Sequence, residues 1–271
     1  MSREVNIGKV KIGGGNPIAL IAGPCVIESE KSCLYHAEAI KEIAKKAGIG
    51  FVFKSSYDKA NRSSIKSFRG PGLAKGLKIL KRVKTEIGVP VLSDVHSPDE
   101  AKKAASVLDA VQIPAFLSRQ TDLLTAAAKT RKTVLVKKGQ FLAPWDMKNI
   151  IAKIEHAGNK KIILTERGTS FGYNMLVSDF RAICIMKKFG YPVCFDASHS
   201  VQVPGGLGTR SGGEAKFITP LSLAAVSCGA DAIFVEAHEN PKRAKSDGPN
   251  MLALKGLLSF LKKIKRLESA L

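Results

Sequence analysis

Thr133-Val134-Leu135-Val136-Lys137 is short, apolar and mostly β-branched, does not alternate with polar residues, and runs out into Lys138-Gly139-Gln140. An unalternating run of strand length predicts a strand covered on both faces, as in a parallel sheet. The same pattern recurs upstream at Ile18–Ala22, Gly50–Lys54, Val89–Asp94 and Ala110–Ile113, and downstream at Lys161–Glu166, Val193–Asp196 and Ala232–Glu236. Amphipathic segments follow these runs near 31–47, 73–87, 98–107, 121–130, 145–157, 177–189, 219–228 and 250–267. Ser97-Pro98-Asp99-Glu100 reads as a helix start, with a capping hydroxyl ahead of a first-turn proline and acids, and Thr219-Pro220 reads as the same device. Glycines at Ala47-Gly48, Ile87-Gly88 and Cys228-Gly229 read as helix ends.

Eight strand-then-helix units in about 250 residues predict an α/β fold, a (β/α)8 TIM barrel. The doubly wound open sheet is the alternative, but the first turn reads Ala22-Gly23-Pro24-Cys25 and lacks the GxGxxG of that fold. Val5 to Ile12, before Gly13-Gly14-Gly15, predicts a short N-terminal β-hairpin within residues 1–16. No linker or composition break divides the chain, so residues 1–271 are expected to form a single domain.

The chain has 271 residues, 45% of them hydrophobic and 24% charged, proportions that exclude disorder. No apolar run approaches the roughly 18 residues of a membrane span, and Met1-Ser2-Arg3-Glu4 lacks a signal-peptide core. Five scattered cysteines point to a reducing, cytoplasmic setting. With 43 Lys+Arg against 23 Asp+Glu, the net charge of +20 fits a nucleic-acid binder or a basic surface that draws in small anions. Only 6% aromatic residues and no nucleic-acid module favour the second. Neither nucleic acid nor membrane is expected as a partner.

In such a barrel the chemistry collects where strands end. Lys54, Lys59, Arg62, Arg119, Lys137, Lys138 and Arg167 all fall at such ends or in the loops that follow. A buried strand rarely finishes on lysine without an anion to meet, so the substrates are expected to be small and phosphorylated. Cys25, His199, Glu236 and Asp247 belong to units seven, eight and one, which become neighbours when a barrel closes. A thiolate, an imidazole and two carboxylates suit a divalent transition metal, Zn, Fe, Mn or Co, better than Ca or Mg. Each also has a plainer reading: Cys25 as core, His199 as a general base or a satisfied loop residue, the acids as partners of the lysines. His238 stands as a substitute for Glu236 or His199. His36 and His156 fall on helical segments and are expected to face solvent, while Asp94 and His96 are expected behind the metal or against a sugar hydroxyl. The glycine-rich stretch 205–213 reads as a mobile lid.

The motifs at these ends are also familiar. Ala22-Gly23-Pro24-Cys25, Phe53-Lys54-Ser55-Ser56, Lys59-Ala60-Asn61-Arg62-Ser63-Ser64, Gln112-Ile113-Pro114-Ala115-Phe116, Lys137-Lys138-Gly139-Gln140, Thr165-Glu166-Arg167-Gly168, Asp196-Ala197-Ser198-His199-Ser200 and Ser246-Asp247-Gly248-Pro249 resemble the 3-deoxy-D-manno-octulosonate 8-phosphate synthases. The resemblance runs from about residue 5 to residue 260. It implies condensation of phosphoenolpyruvate with D-arabinose 5-phosphate and water in lipopolysaccharide (KDO) biosynthesis, in a cytoplasmic homotetramer. The related 3-deoxy-D-arabino-heptulosonate 7-phosphate synthases, which use erythrose 4-phosphate, typically carry Lys-Pro-Arg-Thr-Ser where this chain has Lys59-Ala60-Asn61-Arg62-Ser63. Cysteine at position 25 resembles the metal-dependent members, whereas Gly248-Pro249 resembles the metal-independent ones.

By the same resemblance, Lys137 and Arg167, with the backbone near Ala115 and Phe116, would hold the phosphate of phosphoenolpyruvate. Lys54 and Lys59 would hold its carboxylate side. Asn61, Arg62 and Ser63 would meet the arabinose phosphate, with Arg119 from a neighbouring subunit. Ser55, Ser56, Gln112 and Gln140 complete the expected substrate contacts. Lys59, Lys137, Asp94 and His199 are the expected catalytic residues, Lys59 as a proton donor with a pKa lowered by burial.

Overall fold

A computed structural model describes residues 2–206 and 212–271. In chain order the strands are β1 (Val5–Ile7), β2 (Val10–Ile12), β3 (Ala19–Gly23), β4 (Gly50–Lys54), β5 (Val91–Asp94), β6 (Ala110–Ile113), β7 (Thr133–Lys137), β8 (Ile162–Glu166), β9 (Thr169–Ser170), β10 (Leu176–Val177), β11 (Val193–Asp196), β12 (Gln202–Val203), β13 (Gly212–Gly213), β14 (Ala232–His238) and β15 (Leu252–Ala253). The helices are α1 (Glu30–Ala47), α2 (Leu73–Arg82), α3 (Pro98–Ala104), α4 (Thr121–Lys129), α5 (Met147–His156), α6 (Arg181–Lys187), α7 (Ile218–Ser227) and α8 (Leu254–Glu268). Strands β3, β4, β5, β6, β7, β8, β11 and β14 pair in parallel in that order, and β14 pairs back onto β3, which closes the barrel. The fold is a (β/α)8 TIM barrel with an N-terminal hairpin.

Alternate strand residues face opposite ways, and here both ways are apolar. Ile21, Val52, Leu92, Ala110, Leu135, Ile163, Cys194 and Phe234 pack together inside the barrel. Their neighbours, such as Leu20, Phe53, Val91, Val111, Val136, Leu164, Phe195 and Val235, pack with the helices. This two-sided burial is why the runs do not alternate in sequence. Hairpin residues Val5, Ile7, Val10 and Ile12 join the inner cluster and stopper the end where the strands begin. Thr133 Oγ1 donates to the Asn6 carbonyl at 2.6 Å and fixes the stopper to β7.

Local signals mark the ends of α1 and α3. The Ser97 hydroxyl accepts from Glu100 N at the start of α3, and Gly48 takes the left-handed cap after α1. Thr219 is not a cap: α7 begins at Ile218, which puts Thr219 and Pro220 inside its first turn. The segment expected as one helix over 73–87 is α2 followed by a π turn at 83–87, and α6 is shorter than the 177–189 expected. Among the described residues no helix is long and apolar enough to cross a membrane. Part of the expected lid, residues 207–211, lies outside the described residues.

Candidate active site

The inward phase of each strand carries the site. One step of two residues beyond the last inward apolar residue of a strand lies a polar one: Val52 leads to Lys54, Leu92 to Asp94, Ala110 to Gln112, Leu135 to Lys137, Cys194 to Asp196 and Phe234 to Glu236. Ile163 leads through Thr165 to Arg167, and Ile21 through Gly23 to Cys25. Gly23 is required where it stands, because a Cβ there would lie 2.0 Å from the Lys54 carbonyl oxygen. These ends open into a cavity of about 330 Å³ lined in part by Lys54, Lys59, Arg62, Lys137 and Arg167. Asn61, Ser63, Asp94, Gln112, Ala115, Phe116, Gln140, His199 and Asp247 line the same cavity.

Buried charges on the cavity floor are held in pairs, since an unpaired one would lose its hydration without compensation. Lys54 Nζ lies 3.4 Å from Asp94 and donates to Ser56 Oγ at 2.8 Å. Asp94 also accepts from Ser56 Oγ and Gln112 Nε2. Burial acts against the Asp94 anion, yet Lys54 and Lys59 hold its pKa well below the usual carboxylate range. Burial lowers the pKa of Lys54, with Asp94 opposing. Lys137 Nζ donates to Asp196 Oδ2 at 2.6 Å and sits 4.0 Å above the Phe234 ring. Asp196 Oδ2 also meets His199 Nδ1 at 2.8 Å, and its pKa is depressed by His199 and Lys137 despite burial. Arg167 is buried, which lowers its pKa, and its Nη1 has no partner among the described residues. A cation turned into a cavity with an unused donor is ready for an anion.

Beside these lies the sulfur, nitrogen and oxygen donor set. One ligand atom each from Cys25, Glu236 and Asp247 falls within 4.8 Å of the others. His199 Nε2 lies 3.5 Å from Glu236 Oε1 but stands outside that trio. Both Glu236 carboxylate oxygens are buried without a hydrogen-bond donor among the described residues. A buried carboxylate left so bare lacks the compensation that a cation would supply, and the residues present fit a divalent transition metal. Cys25 Sγ is 3.1 Å from Asp247 Oδ2 and 3.0 Å from Ser246 Oγ. Burial, then Glu236, push the Cys25 thiol well up, so loading a metal there displaces a proton.

Several expectations are corrected by geometry. Ser55 is out of the inward phase and donates to the Pro24 carbonyl, while Ser56 serves Asp94; neither lines the cavity. Lys138 also points outward, wholly buried 3.6 Å from Glu166, with Thr169 Oγ1 at 3.1 Å. Arg119, expected to meet the sugar phosphate of a neighbouring subunit, is exposed and lies outside the cavity of its own chain, a position that does not correct that expectation. The lowered pKa expected for Lys59 is reversed: burial pulls it down, but Cys25, Glu236, Asp94 and Asp247 together raise it well above the usual lysine range. His36 is buried rather than solvated, accepting from Glu239 N and stacked at 4.6 Å on His238. That stacking keeps His238 outside the trio and leaves Glu236 as the donor from β14. Gln202 and Ser246 escaped the sequence reading, because Gln202 opens a strand of two residues, too short to show a period, and Ser246 sits in an irregular loop.

Several known proteins are similar to this chain over almost its whole length. A protein of Geobacter sp. (strain M21) named 2-dehydro-3-deoxyphosphooctonate aldolase is 58% identical over 269 residues, covering 99% of this chain and 98% of that one. Proteins of the same name from Trichlorobacter lovleyi and Geobacter sulfurreducens are 58% and 55% identical, each over 99% of both chains. The family described as the DAHP synthetase I family matches residues 2–271, and the chain belongs to that family.

Proposed function

We propose that the chain is a transferase that condenses phosphoenolpyruvate with D-arabinose 5-phosphate and water, giving 3-deoxy-D-manno-octulosonate 8-phosphate and inorganic phosphate for lipopolysaccharide synthesis. The observation that carries this reading is one cavity where five cationic side chains meet the Cys25, Glu236 and Asp247 donor set. A site of that charge holds two phosphorylated anions together, and the name shared by the relatives is that of such a condensation.

In this reading Lys137 and Arg167 hold the phosphate of phosphoenolpyruvate, with Ala115, Phe116 and Gln140 beside it. Lys54 and Lys59 face its carboxylate, and Asn61, Arg62 and Ser63 hold the sugar phosphate. The enol carbon attacks the aldehyde carbon, and the electron pair of the carbonyl moves onto its oxygen. Lys59, kept as an ammonium by the carboxylates of Glu236, Asp94 and Asp247 and by Cys25 beside it, delivers a proton to that oxygen. Water adds at the carbon bearing phosphate and gives up a proton, for which Asp94, lining the same cavity, is the acceptor at hand. The tetrahedral centre then collapses with C–O cleavage, and phosphate departs against Lys137 and Arg167. Cys25, His199, Glu236 and Asp247 would hold a divalent Zn, Fe, Mn or Co ion, which supplies Lewis-acid polarisation.

The working form is a cytoplasmic homotetramer in this reading. Phe116, Phe141, Trp145, Phe171, Tyr173 and Met175 are exposed on the connections after three successive strands, β6, β7 and β8. Apolar side chains gathered on one flank suit coverage by a second copy, which would also bring Arg119 toward a neighbouring sugar phosphate.

The deciding assay measures phosphate release with arabinose 5-phosphate and with erythrose 4-phosphate, each with and without chelator. Turnover of the first sugar alone, abolished by chelator, is the expected result. Turnover of erythrose 4-phosphate alone would replace the reading with heptulosonate synthesis.

A further inference from the structure

Arg167, on the phosphate side of the cavity, and Asp247, in the metal-fitting trio, are joined through one side chain. Gln202 Oε1 accepts from Arg167 Nη2 at 3.2 Å, and Gln202 Nε2 donates to Asp247 Oδ1 at 3.1 Å. Asp247 uses its other oxygen toward Cys25 Sγ at 3.1 Å and Ser246 Oγ at 3.0 Å. The amide has one acceptor end and one donor end. The guanidinium takes the first and the carboxylate the second, so the reversed orientation would oppose like partners at both ends.

The surroundings leave this bridge little freedom. Asp247 adopts φ +50, a left-handed conformation uncommon outside glycine, and is held there by contacts on both carboxylate oxygens. Gln202 opens β12 and pairs with Gly213 of β13, at the base of the glycine-rich loop. Gly213 in turn presses on Asn250, since a Cβ at that glycine would lie 1.3 Å from Asn250 Oδ1. Arg167 Nη1 has no partner among the described residues, while Nη2 serves Gln202.

We propose that Gln202 is a positioning residue that couples anion binding at Arg167 to metal binding at Asp247. This inference rests on the proposed phosphoenolpyruvate and metal sites. An anion on Nη1 fixes the guanidinium plane, and with it the Nη2 bond, the amide and the Asp247 carboxylate. A metal then meets a donor already ordered and binds more tightly, and by linkage it strengthens anion binding by the same factor.

The test measures the Kd of Co(II) for the chelator-stripped full-length protein, followed by thiolate-to-cobalt absorption, without and with saturating phosphoenolpyruvate. In the unsubstituted protein phosphoenolpyruvate is expected to tighten Co(II) about fivefold or more. In Gln202→Ala, with near-UV circular dichroism unchanged, both ligands still bind but the ratio falls to about one. Gln202→Glu keeps the acceptor for Arg167 but faces Asp247 with a second anion lacking a donor, and the ratio is lost there too. An undiminished ratio in both variants, or no ratio in the unsubstituted protein while both ligands bind, overturns the proposal. Failure of the unsubstituted protein to bind Co(II) or phosphoenolpyruvate at all overturns the site reading itself, and this inference with it.

Discussion

At the scale of single residues, position along a strand separates chemistry from packing. Lys137 and Lys138 are adjacent, yet one projects into the cavity and the other is sealed against Glu166. Lys137→Met is therefore expected to lower kcat/KM about 10²–10³-fold, measured as initial phosphate release, and to cost some stability as well, because it takes the buried cation from Asp196. Lys138→Met acts on the fold instead. It leaves Glu166 buried without its cation and costs about 3–5 kcal/mol, while Lys138→Met with Glu166→Gln recovers much of that loss in urea unfolding. Cys25→Ala removes the only sulfur of the trio. Its expected outcome is loss of bound transition metal by elemental analysis, together with most of the turnover.

At the scale of elements, the two ends of the barrel do different work. The hairpin β1–β2 closes the end where strands begin, and the substrate cavity opens at the other. Ile7→Ala is expected to destabilise the fold by about 2–5 kcal/mol, read by urea unfolding, with KM for both substrates unchanged. The βα connections carry the rest of the site. Asn61 to Ser63 lie in the long connection between β4 and α2, and Asp247 in that between β14 and α8, which pins Lys245 N on Glu28 at 2.8 Å.

At the scale of the whole molecule, charge sets the response to acid. The carboxyl groups of Asp94, Asp196 and Asp247 have pKa values held below 3.8, the first by Lys54, the second by His199 and the third by Lys59, each against burial. A carboxylate depressed in the folded state stabilises the fold fully above its unfolded pKa and stops doing so as pH falls through its folded value. Glu166 has the opposite sign, since burial raises its pKa, but it is a single group against three. The urea midpoint is thus expected to hold steady above about pH 5 and to fall steeply below pH 4. The exposed apolar flank makes a second prediction at this scale. Phe171→Asp with Trp145→Glu should lower the mass found by light scattering, and Arg119→Ala should raise KM for arabinose 5-phosphate if a neighbour completes the site.

The chain alone determined the barrel, because eight apolar runs covered on both sides have few other ways to be buried, and it determined the ring of cations, because strand ends are readable in one dimension. It also put Cys25, His199, Glu236 and Asp247 in adjoining units. What it left to the folded molecule were the directions of side chains beyond the strands. Ser55 turning to Pro24, Lys59 gaining rather than losing proton affinity, His36 buried against His238, and Gln202 spanning Arg167 and Asp247 all depend on which groups face one another across loops. Periodicity fixes a face only where the backbone repeats, and these loops do not repeat.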